Sequence, residues 1–221
     1  MLVTIANQKG GVGKSTIAML FANWLKERGN DVVILDADRQ ATIYYQRESD
    51  KKTFPEEEFG YRISQFNIDR TQKEISEILT QLKSTKPDTY IILDAPGNLS
   101  ENGLVPCLAL ADVIVCPFQY ERKSLDSTGT FIVVLKKVLD AYKTSPKTIF
   151  LPNRVKTNTG TKEEKEVYRQ VEEVFLQFGS VAPFIKELQA VNRVNSISLS
   201  KDQSNAVNAA FTQILSDICQ N

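Results

Sequence analysis

The sequence predicts an α/β fold: a doubly wound, mostly parallel β-sheet flanked by helices. Two observations carry that expectation. Short apolar runs recur along the chain, and the stretches between them change period to that of amphipathic helices. Strand, helix and strand in repeated succession imply right-handed crossovers, and in such sheets ligands collect outside the carboxyl ends of the strands.

In chain order the apolar runs are "LVTIAN", "DVVILDAD", "YRISQFNI", "TYIILDAP", "DVIVCPF" and "TIFLP". Near-continuous apolar character is that of strands buried on both faces; "YRISQFNI" alternates instead. Between the runs, Ile17, Leu20, Phe21, Trp24 and Leu25 share one helical face. Ile75, Ile78, Leu79 and Leu82 share a second, and Val167, Val171, Val174, Phe175 and Phe178 a third. The charged stretch "RESDKKTFPEEEFG" reads as a solvated surface loop with no chemistry of its own. The last helical segment, "AVNAAFTQILSDICQN", aligns Val207, Ala210, Phe211, Ile214, Leu215 and Ile218 but carries no Lys or Arg. That pattern fits packing on a core rather than lying on a membrane surface.

The chain has 221 residues, enough for one sizeable core, and no Pro/Gly/Ser-rich linker divides it, so residues 1–221 are expected to form one domain. Hydrophobic residues make up 42%, and 27 basic residues balance 27 acidic ones. Any nucleic-acid contact must therefore come from a local patch. No run approaches the ~18 apolar residues of a membrane span and "MLVTIAN" lacks a signal-peptide pattern, so a cytoplasmic location is expected. Cys107, Cys116 and Cys219 lie far apart without a C-x-x-C pair and are expected to be buried reduced thiols. The absence of histidine removes Ser-His-Asp hydrolysis, Cys-His proteolysis and histidine-ligated zinc.

The stretch "NQKGGVGKST", residues 7–16, follows an apolar run and opens an amphipathic helix. It ends like a phosphate-binding P-loop, although the usual G-x-x-x-x-G-K-[ST] spacing would place glycine where Gln8 stands. Gly10, Gly11, Val12 and Gly13 offer backbone N–H groups to phosphate oxygens at a helix N-terminus. Lys14 would reach the β- and γ-phosphates, Ser15 would ligate Mg²⁺, and Thr16 would touch the α-phosphate. Lys9 has no such local use. A second ammonium on the same oxygens is repelled by the first, so a position facing another subunit's nucleotide suits it better.

Two further strand ends carry carboxylates. "VVILDADRQ" delivers Asp36 and Asp38, placed either to hold Mg²⁺ water and orient the attacking water or to cap a following helix. "YIILDAPG" delivers Asp94 and then turns at Pro96 and Gly97. "FLPNRVKTN" lacks the N-K-x-D pattern of guanine readers, because no aspartate follows Asn153.

"KGGVGKST" resembles the deviant Walker A motif, K-G-G-x-G-K-[ST], of the ParA/MinD family of P-loop ATPases. The likeness covers nearly the whole chain, and its motifs fall in residues 1–42 and 90–118. It implies a P-loop NTPase fold of the SIMIBI type, ATP and Mg²⁺ as cofactors, and hydrolysis of ATP. By that resemblance Lys9 reaches the partner's ATP in a nucleotide-sandwich homodimer, and Asp38, in a D-x-D-P-Q switch with Asp36 and Gln40, positions water. Arg39 stands where the family has proline. Asp94 then holds magnesium at a Walker B strand, with Pro96 and Gly97 in the second switch. Asn153 becomes the adenine contact, unless it is only a turn residue.

Within the family, the cysteines do not match the cluster-ligating spacing of nitrogenase iron protein, and no tyrosine cluster ends the chain. MinD-like proteins carry the basic amphipathic end missing here, so no stable membrane anchor is expected; relatives such as dethiobiotin synthetase lack the signature lysine. The resemblance is nearest to small ParA-type partition ATPases, without an N-terminal helix-turn-helix. These bind nonspecific DNA as ATP dimers, associate with the nucleoid, and respond to a cargo-bound, ParB-like stimulating partner. Arg154, Lys156, Lys186, Arg193 and Lys201 are cations available for DNA, or else ordinary surface charge; Tyr120 and Arg122 lie in the segment that helps form the family's dimer or in a plain surface loop.

Overall fold

The computed structural model describes residues 1–98, 101–156 and 162–219. Thr157 and Asn158 of "FLPNRVKTN", and Gln220 and Asn221 of the last segment, lie outside them. The chain runs β1 (Leu2–Ile5), α1 (Lys14–Lys26), β2 (Asp31–Asp36), α2 (Thr42–Thr53), β3 (Arg62–Gln65), α3 (Gln72–Thr85), β4 (Thr89–Asp94) and α4 (Leu104–Ala109). It continues through β5 (Val113–Phe118), α5 (Arg122–Tyr142), β6 (Lys147–Pro152), α6 (Lys162–Phe175), β7 (Ser180–Val181), α7 (Gln189–Asn192) and α8 (Lys201–Cys219). The sheet has seven strands in the order β3-β2-β4-β1-β5-β6-β7, and every pairing is parallel.

This is the expected doubly wound architecture, with one apolar core on each face of the sheet. On one side α1 and α8 pack together: Phe21 and Trp24 meet Phe211 edge-on, with ring centroids 5.0 and 5.9 Å apart. α1 is buried nearly all round, because the sheet lies beneath it and α8 beside it. On the other side α3, α4, α5 and α6 cover Leu93, Ile114, Phe118 and Phe150. Val207, Ala210, Phe211, Ile214 and Ile218 of α8 are buried, as the apolar periodicity of that segment implies.

Four sequence expectations are corrected. The stretch "RESDKKTFPEEEFG" is helical through Thr53, and two of its charges are interior: Arg47 is 5% and Asp50 4% exposed. Arg47 donates to Tyr61 O, Ser196 O and Ser196 Oγ at 2.7, 3.0 and 2.8 Å, while Asp50 Oδ2 accepts from Ser196 N–H and Oγ–H, both at 2.7 Å. Charges are tolerated there because every donor has an acceptor. On α6 the inward residues are Tyr168, Val171 and Phe175, whereas Val167 and Val174, and Phe178 just past the helix, are exposed, since the helix covers the sheet with only one narrow stripe. Strand β7 was not expected, being only two residues long. Cys107 and Cys116 are buried, but Cys219 is exposed near the end of α8.

The interior network yields a stability contrast. Asp50→Ala strands the Ser196 N–H and Oγ–H and the Gln46 Nε2 donor, leaves the Arg47 charge without its buried counter-charge, and should cost about 2–4 kcal/mol in urea unfolding. Glu48→Ala removes only an exposed pair with Lys51, at 2.8 Å, and should stay within about 0.5 kcal/mol. Equal losses would show that the network does not hold α2.

Candidate functional site

Parallel register brings the site together. Asp94, the last residue of β4, is paired with Ile5 of β1 on one side and Asp36 of β2 on the other. The exits of these three strands therefore stand level, and the loop of residues 6–13 rises beside two carboxylates.

That loop is shaped by glycine. Gly13 caps α1 at φ +96°, and a Cβ there would come 2.5 Å from Asn153 Nδ2, so both conformation and space require its hydrogen. Gly11 also has positive φ, +79°. No side chain caps α1 and its first turn holds no acidic residue, so this helix N-terminus is suited to an anion.

The side chains follow. Lys14 is 8% exposed, and its Nζ lies 3.4 Å from Lys9 O. Ser15 Oγ donates to Asp94 Oδ2 at 2.6 Å, joining the first turn of α1 to the end of β4. Gly97 approaches closely enough that a Cβ would sit 3.4 Å from Lys14 Nζ. Asp36 Oδ2 accepts the Tyr44 N–H at 2.9 Å and so steadies the start of α2, while Asp38 Oδ1 accepts from Gln40 N–H at 2.9 Å. Asp36 thus supports the start of α2, whereas Asp38 bonds within the turn ahead of that helix and lines the cleft.

An open cleft of about 540 Å³ gathers Gly10, Gly11, Gly13, Lys14, Ser15, Thr16, Asp38, Gln40, Pro96 and Gly97, together with Arg39, Glu101 and Arg154. Val12 and Asn153 are buried beneath the loop: Asn153 is 1% exposed and its Nδ2 donates to Val12 O at 2.8 Å. Lys9 is half-buried, its backbone N–H held by Asn7 Oδ1 at 3.4 Å, and among the described residues no carboxylate pairs with its ammonium.

Electrostatically the site awaits a cation. Burial pushes the Asp94 carboxyl up to about 7 against the opposing Ser15 hydrogen bond, with Asp36 adding to the rise; burial raises Asp36 as well. Six buried side-chain oxygens among the described residues lack a partner, and all but Thr144 Oγ1 belong to Gln8, Asp36, Asp94, Glu101 and Asn153 at this end of the sheet. Such atoms are rare unless a ligand satisfies them. No three acidic or Cys residues among the described residues form an all-protein cation cage. That suits Mg²⁺, which takes one or two protein oxygens and completes its shell with phosphate and water. Ser15 and Asp94 fit that role.

Two contributors escape the sequence reading, and a third, Arg154, is read there only as a cation for DNA or the surface. Asn7 is fully buried and donates to Pro117 O and Thr128 Oγ1 at 2.8 and 2.9 Å, anchoring the loop's root to β5 and α5; a lone amide ending an apolar run was the available signal. Gln119 Nε2 approaches Gly11 O at 3.5 Å. Arg154 lines the cleft rather than an open face. Arg39, in the place of the family's proline, pairs with Asp69 at 2.6 Å and Glu101 at 3.7 Å, linking the loops that follow three strands. Of the other cations, Lys156 pairs with Glu187 at 3.8 Å, and Lys186, Arg193 and Lys201 are exposed. Tyr120 stacks on Tyr168 at 3.9 Å and hydrogen-bonds Glu172, so it is held against α6, while Arg122 is exposed. No helix among the described residues is long and apolar enough to cross a membrane.

The chromosome-partitioning ATPase Soj of Thermus thermophilus is 27% identical over 154 residues, which are 62% of this chain and 61% of Soj. The chain thus matches less than two thirds of that relative. A putative plasmid partition protein of Borrelia burgdorferi bound to AMPPNP superposes with a TM-score of 0.72 at 20% identity, covering 98% of both chains. An ATP complex of a Cyanothece McdA variant gives 0.75 at 17% identity, covering 98% of this chain and 95% of that one. The family profile described as the CobQ/CobB/MinD/ParA nucleotide binding domain matches residues 3–201. With that match spanning strand, loop and both carboxylate ends, the chain belongs to the CobQ/CobB/MinD/ParA family of nucleotide-binding domains.

Proposed function

We propose that residues 1–221 act as one ATPase domain of the ParA type, which hydrolyses ATP with Mg²⁺ as a nucleotide-sandwich homodimer and so segregates or positions DNA. The carrying observation is the division between two lysines of one loop. Lys14 is buried against the cleft, whereas Lys9 is half-exposed and unpaired among the described residues. A lysine so placed has reason to be there if a second subunit brings the anion to it, as an arginine supplied in trans does.

In this reading the N–H groups of Gly10 to Gly13 and the Lys14 ammonium bind the phosphates, and Thr16 adds a contact. Ser15 and Asp94 hold the cation, which when bound offsets charge developing between the phosphates. Asp38 lies in the cleft to orient the attacking water, while Gln40, Pro96 and Gly97 change position with the γ-phosphate. Asn153 donates one amide hydrogen to Val12 O and keeps an unpartnered Oδ1 for the adenine amino group, which requires nucleotide entry to uncover that buried oxygen. No strong general base is present, so turnover is slow until a cargo-bound, ParB-like partner stimulates it. The Soj and plasmid-partition likenesses support DNA as the surface occupied by the ATP dimer, with nucleoid association following from it.

The exposed Lys186, Arg193 and Lys201 are the DNA contacts to test first. Nonspecific duplex DNA should be retained with ATP and Mg²⁺ but not with ADP, and Lys186→Glu with Arg193→Glu should weaken retention about tenfold while sparing turnover. DNA binding that ignores the nucleotide, or is absent in a protein that hydrolyses ATP, would sink the partition role and favour a metabolic one.

A pH effect follows from Asp94. Its carboxyl is raised from 3.8 to about 7 in the fold, so across that window the folded metal-free protein keeps a proton that the unfolded chain has lost. Stability from this group therefore falls as pH rises through the window. Asp94→Asn, which cannot ionise, should match the parent's thermal midpoint near pH 4 in EDTA and exceed it by a few degrees near pH 8. ATP with Mg²⁺ should stabilise only the parent. A gap that does not change with pH would contradict the buried, metal-seeking carboxylate.

A further inference from the structure

Arg154 has φ 56°, one of three non-glycine residues among those described with positive φ, and it stands at the end of β6 beside the phosphate loop. A side-chain-bearing residue keeps this conformation only when its surroundings impose it. Here they do: Val155 N–H donates to Ile185 O and Glu187 N–H to Val155 O, both at 3.0 Å, so the chain must turn at Arg154 to leave β6 and pair with the segment after β7. The turn carries the guanidinium to the loop. Nη1 donates to Gly11 O at 2.9 Å, and Nη2 approaches Asn192 Oδ1 at 3.4 Å. No carboxylate among the described residues forms an ion pair with it, which leaves a net positive charge at the mouth of a phosphate cleft.

The carbonyls it and its neighbour hold are consecutive. Arg154 takes Gly11 O and Asn153 takes Val12 O, with Gln119 near Gly11 O as well. In a trans peptide the C=O and the next N–H point in opposite directions. Fixing the Gly11 carbonyl toward Arg154 therefore aims the Val12 N–H the other way, and fixing the Val12 carbonyl aims the Gly13 N–H likewise. Two aligned amides of this kind make an anion nest.

We propose that Arg154 is a positioning residue for polyphosphate: it clamps the Gly11 carbonyl so that the loop amides are set for a nucleoside di- or triphosphate before it arrives. This rests on the nucleotide-binding reading above. Because Arg154 acts through the loop, its effect belongs to the phosphates and not to the base.

The test compares the parent with Arg154→Gly, which keeps the backbone turn and removes the donor, and Arg154→Lys, which restores a single donor. Dissociation constants for ADP, GDP and inorganic pyrophosphate are measured with Mg²⁺ by calorimetry or competition. Arg154→Gly should weaken ADP and pyrophosphate by the same factor, about tenfold, and leave the ADP-to-GDP ratio unchanged. Arg154→Lys should recover most of the loss. Unchanged affinities in Arg154→Gly, no recovery in Arg154→Lys, or a collapsed ADP-to-GDP ratio with pyrophosphate unaffected would overturn the proposal. The last result would make Arg154 a base contact instead. A parent that binds neither ADP nor ATP would instead remove the nucleotide reading itself.

Discussion

The hydrogen bond from Ser15 Oγ to Asp94 Oδ2, 2.6 Å long, is the junction on which the site depends. One partner opens α1 and the other closes β4, so the bond exists only if helix and strand are each held in place. The strand is held by parallel pairing to β1 and β2, which levels Asp94 with Ile5 and Asp36. The helix is held by burial of Phe21 and Trp24 against Phe211 of α8. Packing far from the chemistry thus fixes where the loop amides point, with the interior of the fold acting as the jig for the cleft.

That arrangement has an electrostatic cost, which the fold carries until ligand arrives. Asp36 and Asp94 are neighbours in register, both buried, and both have carboxyls raised by desolvation. Orphaned oxygens on five residues cluster at the same end of the sheet. Elsewhere buried charge is fully matched, as in the Arg47, Asp50 and Ser196 network. The contrast between a satisfied interior and an unsatisfied cleft locates function without any bound molecule, because an uncompensated cluster persists only where something else completes it.

How much of this was legible in the sequence depended on whether the partners were local. Parallel strands buried on both faces read directly as apolar runs, and Gly13 announces itself because no other residue tolerates its backbone and the approach of Asn153. The short β7 was invisible, having too few residues to form a pattern. Helix α2 was missed because two of its three buried residues are charged, and the group that hydrogen-bonds Asp50 is Ser196, distant along the chain. The faces of α6 were misjudged since apolar Val167 and Val174 point outward while Tyr168 and Phe175 pack inward. Likewise nothing local reveals that Arg39 meets Asp69 and Glu101, or that a left-handed Arg154 returns to Gly11.

The central claim is that Lys9 serves the neighbouring subunit's nucleotide, and subunit mixing tests it most directly. Lys9→Ala lacks the reaching lysine but keeps its own Asp38; Asp38→Ala keeps Lys9 but cannot orient water. Each should be inactive alone. In a mixed two-fold dimer the Lys9→Ala subunit's site receives its partner's Lys9 and is whole, so equal mixing should restore about one quarter of the parent ATPase rate. If mixing restores nothing, or if Lys9→Ala alone hydrolyses ATP like the parent at every protein concentration, Lys9 does not act across a dimer and the account fails at its centre.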